Sequence, residues 1–183
     1  MKAFQLISLI LCCVYMCGCA VVCTNPLPNA DRAKPDQRLL GRWMLKTDEG
    51  TGYIQFDSGP NQTMTVSTFG DKLTPDQSDR AFTMFTTRLG NYDYMNLRFG
   101  GPRGDGYFIV RYSVTTDKLA VWFLAGDKIK RAIDEGKLKG EEKSSAPLTA
   151  ITITDSSAKI SAFIETSSDD LFFHCADLQK VRN

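Results

Sequence analysis

The chain has 183 residues, with 22 lysines and arginines against 21 aspartates and glutamates, and a single histidine. This near balance, without a basic stripe or aromatic-basic interleaving, excludes a nucleic-acid partner, and no long run of like charge marks an interaction tail. One histidine excludes a multi-histidine metal site, and nothing marks a serine or cysteine near it as a nucleophile, so neither metal nor cofactor is expected.

The first element is an address. Lys2 precedes an apolar run from Ala3 to Met16, followed by Met16-Cys17-Gly18-Cys19. Crossing a bilayer takes roughly 20 apolar residues and a signal-peptide core roughly 7 to 15, and this run fits the second. Small Gly18 directly before Cys19 suits a lipoprotein signal peptidase. Residues 1–18 are therefore expected to be a lipoprotein signal peptide and Cys19 the lipidated residue, whose several acyl chains anchor the protein in the membrane of a bacterial cell envelope. Ala20, in place of the Asp that commonly retains lipoproteins in the inner membrane, favours the outer membrane facing the periplasm in a diderm. Loss of residues 1–18 removes one charge, Lys2, and leaves the acidic and basic counts equal at 21.

Residues 19–37 have the composition of a lipidated tether. Asn25-Pro26-Leu27-Pro28-Asn29 and Lys34-Pro35-Asp36 combine prolines with polar residues and show no apolar period. Of the six cysteines, Cys12, Cys13 and Cys17 leave with the signal and Cys19 takes the lipid. Cys23 and Cys175 remain, and an oxidising envelope compartment makes them a disulfide candidate tying the tether to the last strand.

Residues 38–183 form the domain. Short strands are predicted at Gly41 to Leu45, Tyr53 to Phe56, Met64 to Phe69, Ala81 to Arg88, Tyr92 to Phe99, Tyr107 to Val114 and Leu119 to Leu124, with turn residues at Asp48-Glu49-Gly50, Gly90-Asn91, Gly100-Gly101-Pro102 and Thr116-Asp117. Phe108, Val110, Tyr112 and Val114 share one face of their strand, while Tyr107, Ile109, Arg111 and Ser113 share the other. Helices are predicted over Asp127 to Glu135, stopped by Gly136, and over Asp155 to Glu165, capped by Asp155 or Ser156. Their stripes of Ile129, Ala132 and Ile133, and of Ile160, Phe163 and Ile164, are expected to pack on the barrel. Further strands are predicted at Leu148 to Thr154 and Asp177 to Arg182. The expected fold class is mainly β: an antiparallel, lipocalin-like barrel of about eight strands with two short helices in the C-terminal half.

A resemblance supports that fold. Leu39-Leu40 followed by Gly41-x-Trp43 resembles the opening of lipocalins, where Gly permits a tight entry into the first strand and Trp closes the barrel floor, often against a cation from the final strand. Lys180 and Arg182 are the candidate cations. From Leu40 to the end the chain also resembles a group of uncharacterised bacterial lipoproteins, through Arg88-Leu89-Gly90, Tyr94-Met95-Asn96-Leu97, Gly106-Tyr107-Phe108-Ile109-Val110-Arg111-Tyr112 and Ala132 to Gly140. That resemblance implies no activity.

Catalytic chemistry is thinly represented. His174 stands beside Phe172 and Phe173, and the paired carboxylates Asp134-Glu135, Glu141-Glu142 and Asp169-Asp170 do not converge on one substrate atom. The glycines of Gly100 to Gly106 lie between strands and open no helix, so they lack a phosphate-binding context. Arg103-Gly104-Asp105 resembles a cell-adhesion tripeptide of a length that chance supplies, and Asn61-Gln62-Thr63 has the form of a glycosylation acceptor, whose modifying enzyme a bacterial lipoprotein would not normally meet. No catalytic residue is assigned. Enzyme function would require polar residues such as Arg98, Arg111 or His174 to converge in one pocket. The expected function is a membrane-anchored binding module holding a small apolar or amphipathic ligand in its barrel; the alternative is a structural or interaction lipoprotein whose barrel is filled by side chains and whose outer face meets an envelope partner.

Overall fold

The computed structural model describes residues 19–28, 35–48, 50–70, 81–99, 106–145 and 148–182. The expected signal segment and the loop carrying Arg103-Gly104-Asp105 lie outside the described residues. Among the described residues there are eleven strands: β1 Cys19–Cys23, β2 Gly41–Thr47, β3 Gly50–Ser58, β4 Met64–Phe69, β5 Ala81–Leu89, β6 Tyr92–Phe99, β7 Gly106–Val114, β8 Lys118–Leu124, β9 Gly140–Ser145, β10 Leu148–Ile153 and β11 Phe172–Lys180. Two helices, α1 Gly126–Asp134 and α2 Ser157–Thr166, lie in the C-terminal half, followed by a 3-10 turn at Asp169–Leu171.

Strands β2 to β8 and β11 form a closed eight-stranded antiparallel barrel, in the order β6-β5-β4-β3-β2-β11-β8-β7 with β6 pairing back onto β7. Closure gives each of these strands a hydrogen-bonded neighbour on both sides, so none of the eight is left as an open edge strand. The expected fold class is thus the observed one.

Alternation fills the barrel. Trp43, Phe56, Met64, Met84, Val110, Tyr112, Leu119 and Leu178 belong to one contiguous interior cluster, and each is at most 4% exposed. A bulge between His174 and Ala176 keeps β11 in step with this core. Before it, Phe173 faces Phe123 on the interior side; beyond it, Ala176 and Leu178 point inward in place of the odd-numbered residues. One extra residue reverses the inward parity of a strand, and here it delivers Leu178 and Lys180 to Trp43. The same bulge hides the first half of β11 from a period-two reading, which is why the sequence places the closing strand only from Asp177.

One end of the barrel is plugged by residues 36–40. Gly41 enters β2 at φ +101, a left-handed conformation that glycine adopts without strain, with Lys180 packed against it. The Trp43 indole donates to the Leu39 carbonyl at 2.7 Å. Lys180 Nζ lies 4.3 Å from the centre of the Trp43 ring and donates to the Leu40 carbonyl. Tyr112 donates to Asp36 at 2.8 Å, and Arg38 joins Asp36 to Asp93. Burial alone would push the Asp36 carboxyl up, but hydrogen bonds from Arg38 and Tyr112 together hold it below its ordinary value.

A second layer covers part of the outer wall. Strand β1 lies between β7 and β10, parallel to β10, and β9 extends the sheet beyond it. The strand expected at Leu148 to Thr154 therefore belongs to this layer and not to the barrel. Helix α1 packs against β1 and ends at Gly136, whose φ of +70 makes the stop that the sequence predicts. Ser156, and not Asp155, caps α2 by accepting from the Lys159 amide; Asp155 is buried and accepts from the Lys139 amide instead. Val21, Cys23, Ile129, Ile151, Ile153 and Ile160 form an outer core against Tyr94 and Ile109 of the barrel wall.

This layer corrects two expectations. The segment after Cys19 is not a solvated tether: its first residues are a sheet strand, and Cys23 and Leu27 are fully buried. The Leu27 amide donates to Asn96 Oδ1 at 2.8 Å, Asn96 donates to Thr87, and Thr87 donates to the Pro28 carbonyl, so the proline segment is clasped to β5 and β6. Cys23 and Cys175 are not bridged. The strand order between them runs β1-β7-β8-β11, and three strand spacings, roughly 14 Å, exceed the roughly 7 Å that a disulfide spans between Cα atoms. Burial instead pushes the Cys23 thiol up to about 12.

Candidate functional site

Outward residues of the barrel wall form a continuous row that runs from the half-exposed His174 to residues covered by the second layer. His174 of β11 pairs with Trp122 of β8, Trp122 with Arg111 of β7, Arg111 with Tyr94 of β6, and Tyr94 with Thr87 of β5. These belong to the face that the sequence separates from the barrel interior by alternation. The wall is covered here, so an arginine whose partners would otherwise be water lies within the protein.

Arg111 is the unusual member. Its side chain is only 10% exposed. Its guanidinium carbon stands 4.7 Å from the centre of the Tyr92 ring, 5.0 Å from Phe172 and 5.3 Å from Trp122, so three aromatic rings hold the cation in place. Its ionic partner is Asp169, at 3.4 Å from Nη1, and that carboxylate is 78% exposed on the 3-10 turn. Such a pair is long and solvent-screened. Arg111 Nε is buried and has no hydrogen-bond partner. A buried donor without a partner carries a desolvation cost, which leaves this guanidinium incompletely satisfied.

A cleft of about 250 Å³ opens over this group. Leu89, Tyr94, Ile164, Leu171 and Phe172 supply apolar walls, and Ser167, Ser168, Glu165 and Asp169 stand among its polar residues. Tyr92 donates to Asp169 at 2.9 Å, and the neighbouring carboxylate raises the phenol above its ordinary value. Burial pushes Tyr94 up to about 12. Both hydroxyls are therefore neutral near pH 7.

The three polar residues that would have to meet for catalysis do not. Arg98 is exposed, paired across strands with Thr83 and Tyr107. His174 is half exposed, edge-on to Trp122 at 5.4 Å and paired with Asp177 at 3.1 Å. Arg111 alone of the three lines the cleft. The adjacent carboxylates are on the surface, with Asp170 paired to Lys128, Lys130 to Asp134 and Glu142, and Glu135 to Lys137. Asn61 and Gln62 occupy the β3–β4 turn with positive φ. Gly41 and Trp43 serve the plug, with Lys180 as the cation. Cys19 opens β1.

Sequence reasoning did not find Tyr92, Asp169 and Phe172 around Arg111. A signal existed: Tyr94, Ile109 and Trp122 are all outward residues, and an outward face so apolar requires a cover. Among the described residues no group of acidic, cysteine or histidine side chains is placed to hold a metal ion, and no helix is long and apolar enough to cross a membrane. No protein-family model matches the chain, and neither a curated protein nor a solved structure matches it, so the barrel and its covered arginine are the ground for any functional reading.

Proposed function

We propose that the chain is a bacterial envelope lipoprotein, anchored to the membrane through a lipidated Cys19, whose barrel is a filled scaffold that meets an envelope partner. The observation that carries the scaffold reading over the container reading is the interior itself. Trp43, Met64 and Met84 are fully buried and meet Phe56, Leu119 and Leu178 in one cluster. Side chains that fill a barrel this size leave its strands as a rigid frame. The lipocalin-like entry through Gly41 and Trp43 belongs to this reading as a structural device.

The anchor reading rests on the sequence before Cys19 and gains support from β1. Cleavage at the Gly18–Cys19 bond leaves that strand whole, with Val21 and Cys23 in the outer core. The lipid would then leave the polypeptide at the start of a sheet strand, holding the barrel close to the bilayer. In a diderm, Ala20 favours the outer membrane.

Two measurements test the two halves. Metabolic labelling with an alkyne palmitate should mark the wild-type protein, and Cys19→Ser should lose the label; equal labelling of both would end the assignment of Cys19. Native mass spectrometry of protein from its own host should show no ligand retained by the barrel. A stoichiometric apolar molecule displaced only on unfolding would restore the container reading.

A further inference from the structure

We propose that the cleft over Arg111 binds a small organic monocarboxylate with an apolar or aromatic body, the ligand's carboxylate taking Arg111 from Asp169. This goes beyond the scaffold reading and does not depend on the anchor.

The argument starts from charge. A cation nine-tenths withdrawn from water needs a close counter-charge or a full set of hydrogen bonds. Arg111 has a single exposed carboxylate at 3.4 Å and a buried Nε with no partner. The three rings fix the guanidinium in place, so its geometry is set before any ligand arrives. A fixed guanidinium is a planar fork matched to the two oxygens of a carboxylate.

The remaining walls define the rest of the ligand. Leu89, Ile164, Leu171 and Phe172 offer an apolar surface, which a bare inorganic anion would leave unused. Glu165 lines the same cleft, and a second negative charge on the ligand would meet it. One negative charge is therefore accepted and two are opposed, which separates a carboxylate from a phosphate dianion. The cleft's volume of about 250 Å³ limits the body to a small molecule.

Asp169 becomes the internal competitor. It stands on a short turn, is largely exposed, and is held by Tyr92 as well as by Arg111. A ligand carboxylate can displace it into water at little cost, because an exposed, screened pair contributes little.

The test is titration calorimetry on the full-length protein as isolated from its host, with phenylacetate as probe, phenylacetamide as its neutral counterpart and inorganic phosphate as the bare anion. Phenylacetate should bind saturably, and the other two should bind at least tenfold more weakly, as the loss of a charge-assisted hydrogen bond dictates. Asp169→Asn should tighten phenylacetate binding several-fold. Arg111→Lys should weaken it about tenfold, by losing the fork while keeping the charge. Asp169 is exposed, so its variant remains informative even where an Arg111 variant does not fold. Phenylacetamide binding as well as phenylacetate, phosphate binding as tightly, an unchanged affinity in Asp169→Asn, or no saturable binding of phenylacetate would each overturn the proposal.

Discussion

The barrel wall separates two apolar cores that differ in how they are assembled. The inner core is built from alternate residues of the strands that enclose it, from Trp43 and Phe56 to Leu119 and Leu178. The outer core gathers Val21 and Cys23 near one end of the chain and Ile160, Leu171 and Phe172 near the other against Tyr94 and Ile109. Polar side chains are distributed accordingly. Asn96 and Arg111 are buried under the outer layer, whereas the polar groups of the inner core gather at its plug, where Tyr112 meets Asp36. The inner core frames the fold, and the outer layer holds the groups that can recognise something.

The largest effect is expected from breaking the inner core. Trp43 is fully buried and hydrogen-bonded to Leu39, so Trp43→Ala should cost about 3–5 kcal/mol in chemical denaturation. A loss below about 1 kcal/mol would show that the barrel floor collapses around the gap and that the plug is not anchored by this ring.

A smaller loss should follow from the outer clasp. Asn96→Ala leaves the buried Leu27 amide without its acceptor and should cost about 1–3 kcal/mol. Hydrogen exchange distinguishes the two cores in the same sample. The Leu27 amide should exchange faster while those of β2 and β3 keep their protection. Uniform acceleration through the barrel would mean that the two cores unfold as one unit.

The same contrast explains what the sequence discloses. Phe108, Val110, Tyr112 and Val114 announce their face by alternation, and Gly41, Trp43 and Lys180 sit where a barrel entry and its closing cation were expected. Local periodicity is enough when a core is lined by the strands that display it. Cys19 to Cys23 conveys nothing comparable, since Cys-Ala-Val-Val-Cys continues the apolar character of the segment before it and pairs with β10, whose residues begin 129 positions later at Leu148. Gly140–Ser145 is too charged to announce a strand, because it forms the outer edge of the sheet where Glu141 and Glu142 face water. The Arg111 site needs Tyr92 of β6 and the Asp169–Phe172 segment to reach β7 from distant parts of the chain, and no spacing encodes that meeting.

The outer core can be probed without perturbing stability. Cys23 is fully buried with a thiol pushed up to about 12, whereas Cys175 is partly exposed at the bulge. Brief alkylation of the folded protein should modify Cys175 and spare Cys23, with both modified after unfolding, as read by peptide mass spectrometry. Fast native alkylation of Cys23 would show that β1 leaves the sheet readily.

The smallest effect belongs to the plug, where opposing contributions nearly cancel. Lys180 gains attraction from the Trp43 ring and from the Leu40 carbonyl, but burial lowers its pKa below the usual 10.5. Lys180→Met loses the attraction and relieves the desolvation, so near pH 7 the net change should stay below about 1 kcal/mol. Its pH dependence is more telling. A lysine whose folded value lies below its unfolded value releases its proton earlier in the folded chain, so the unfolded chain binds more protons between the two values. Its contribution to stability therefore rises with pH through that window and is lost as pH falls through the folded value. Tyr94 and Tyr112, whose ionisation burial resists, act in the opposite sense above about pH 10. They are present in both proteins, so the difference between the two stability profiles isolates Lys180. Wild type should gain on Lys180→Met as pH approaches 10.5 from below. A flat difference would place the ammonium in water and leave the inner core closed by Trp43 and Leu39 alone.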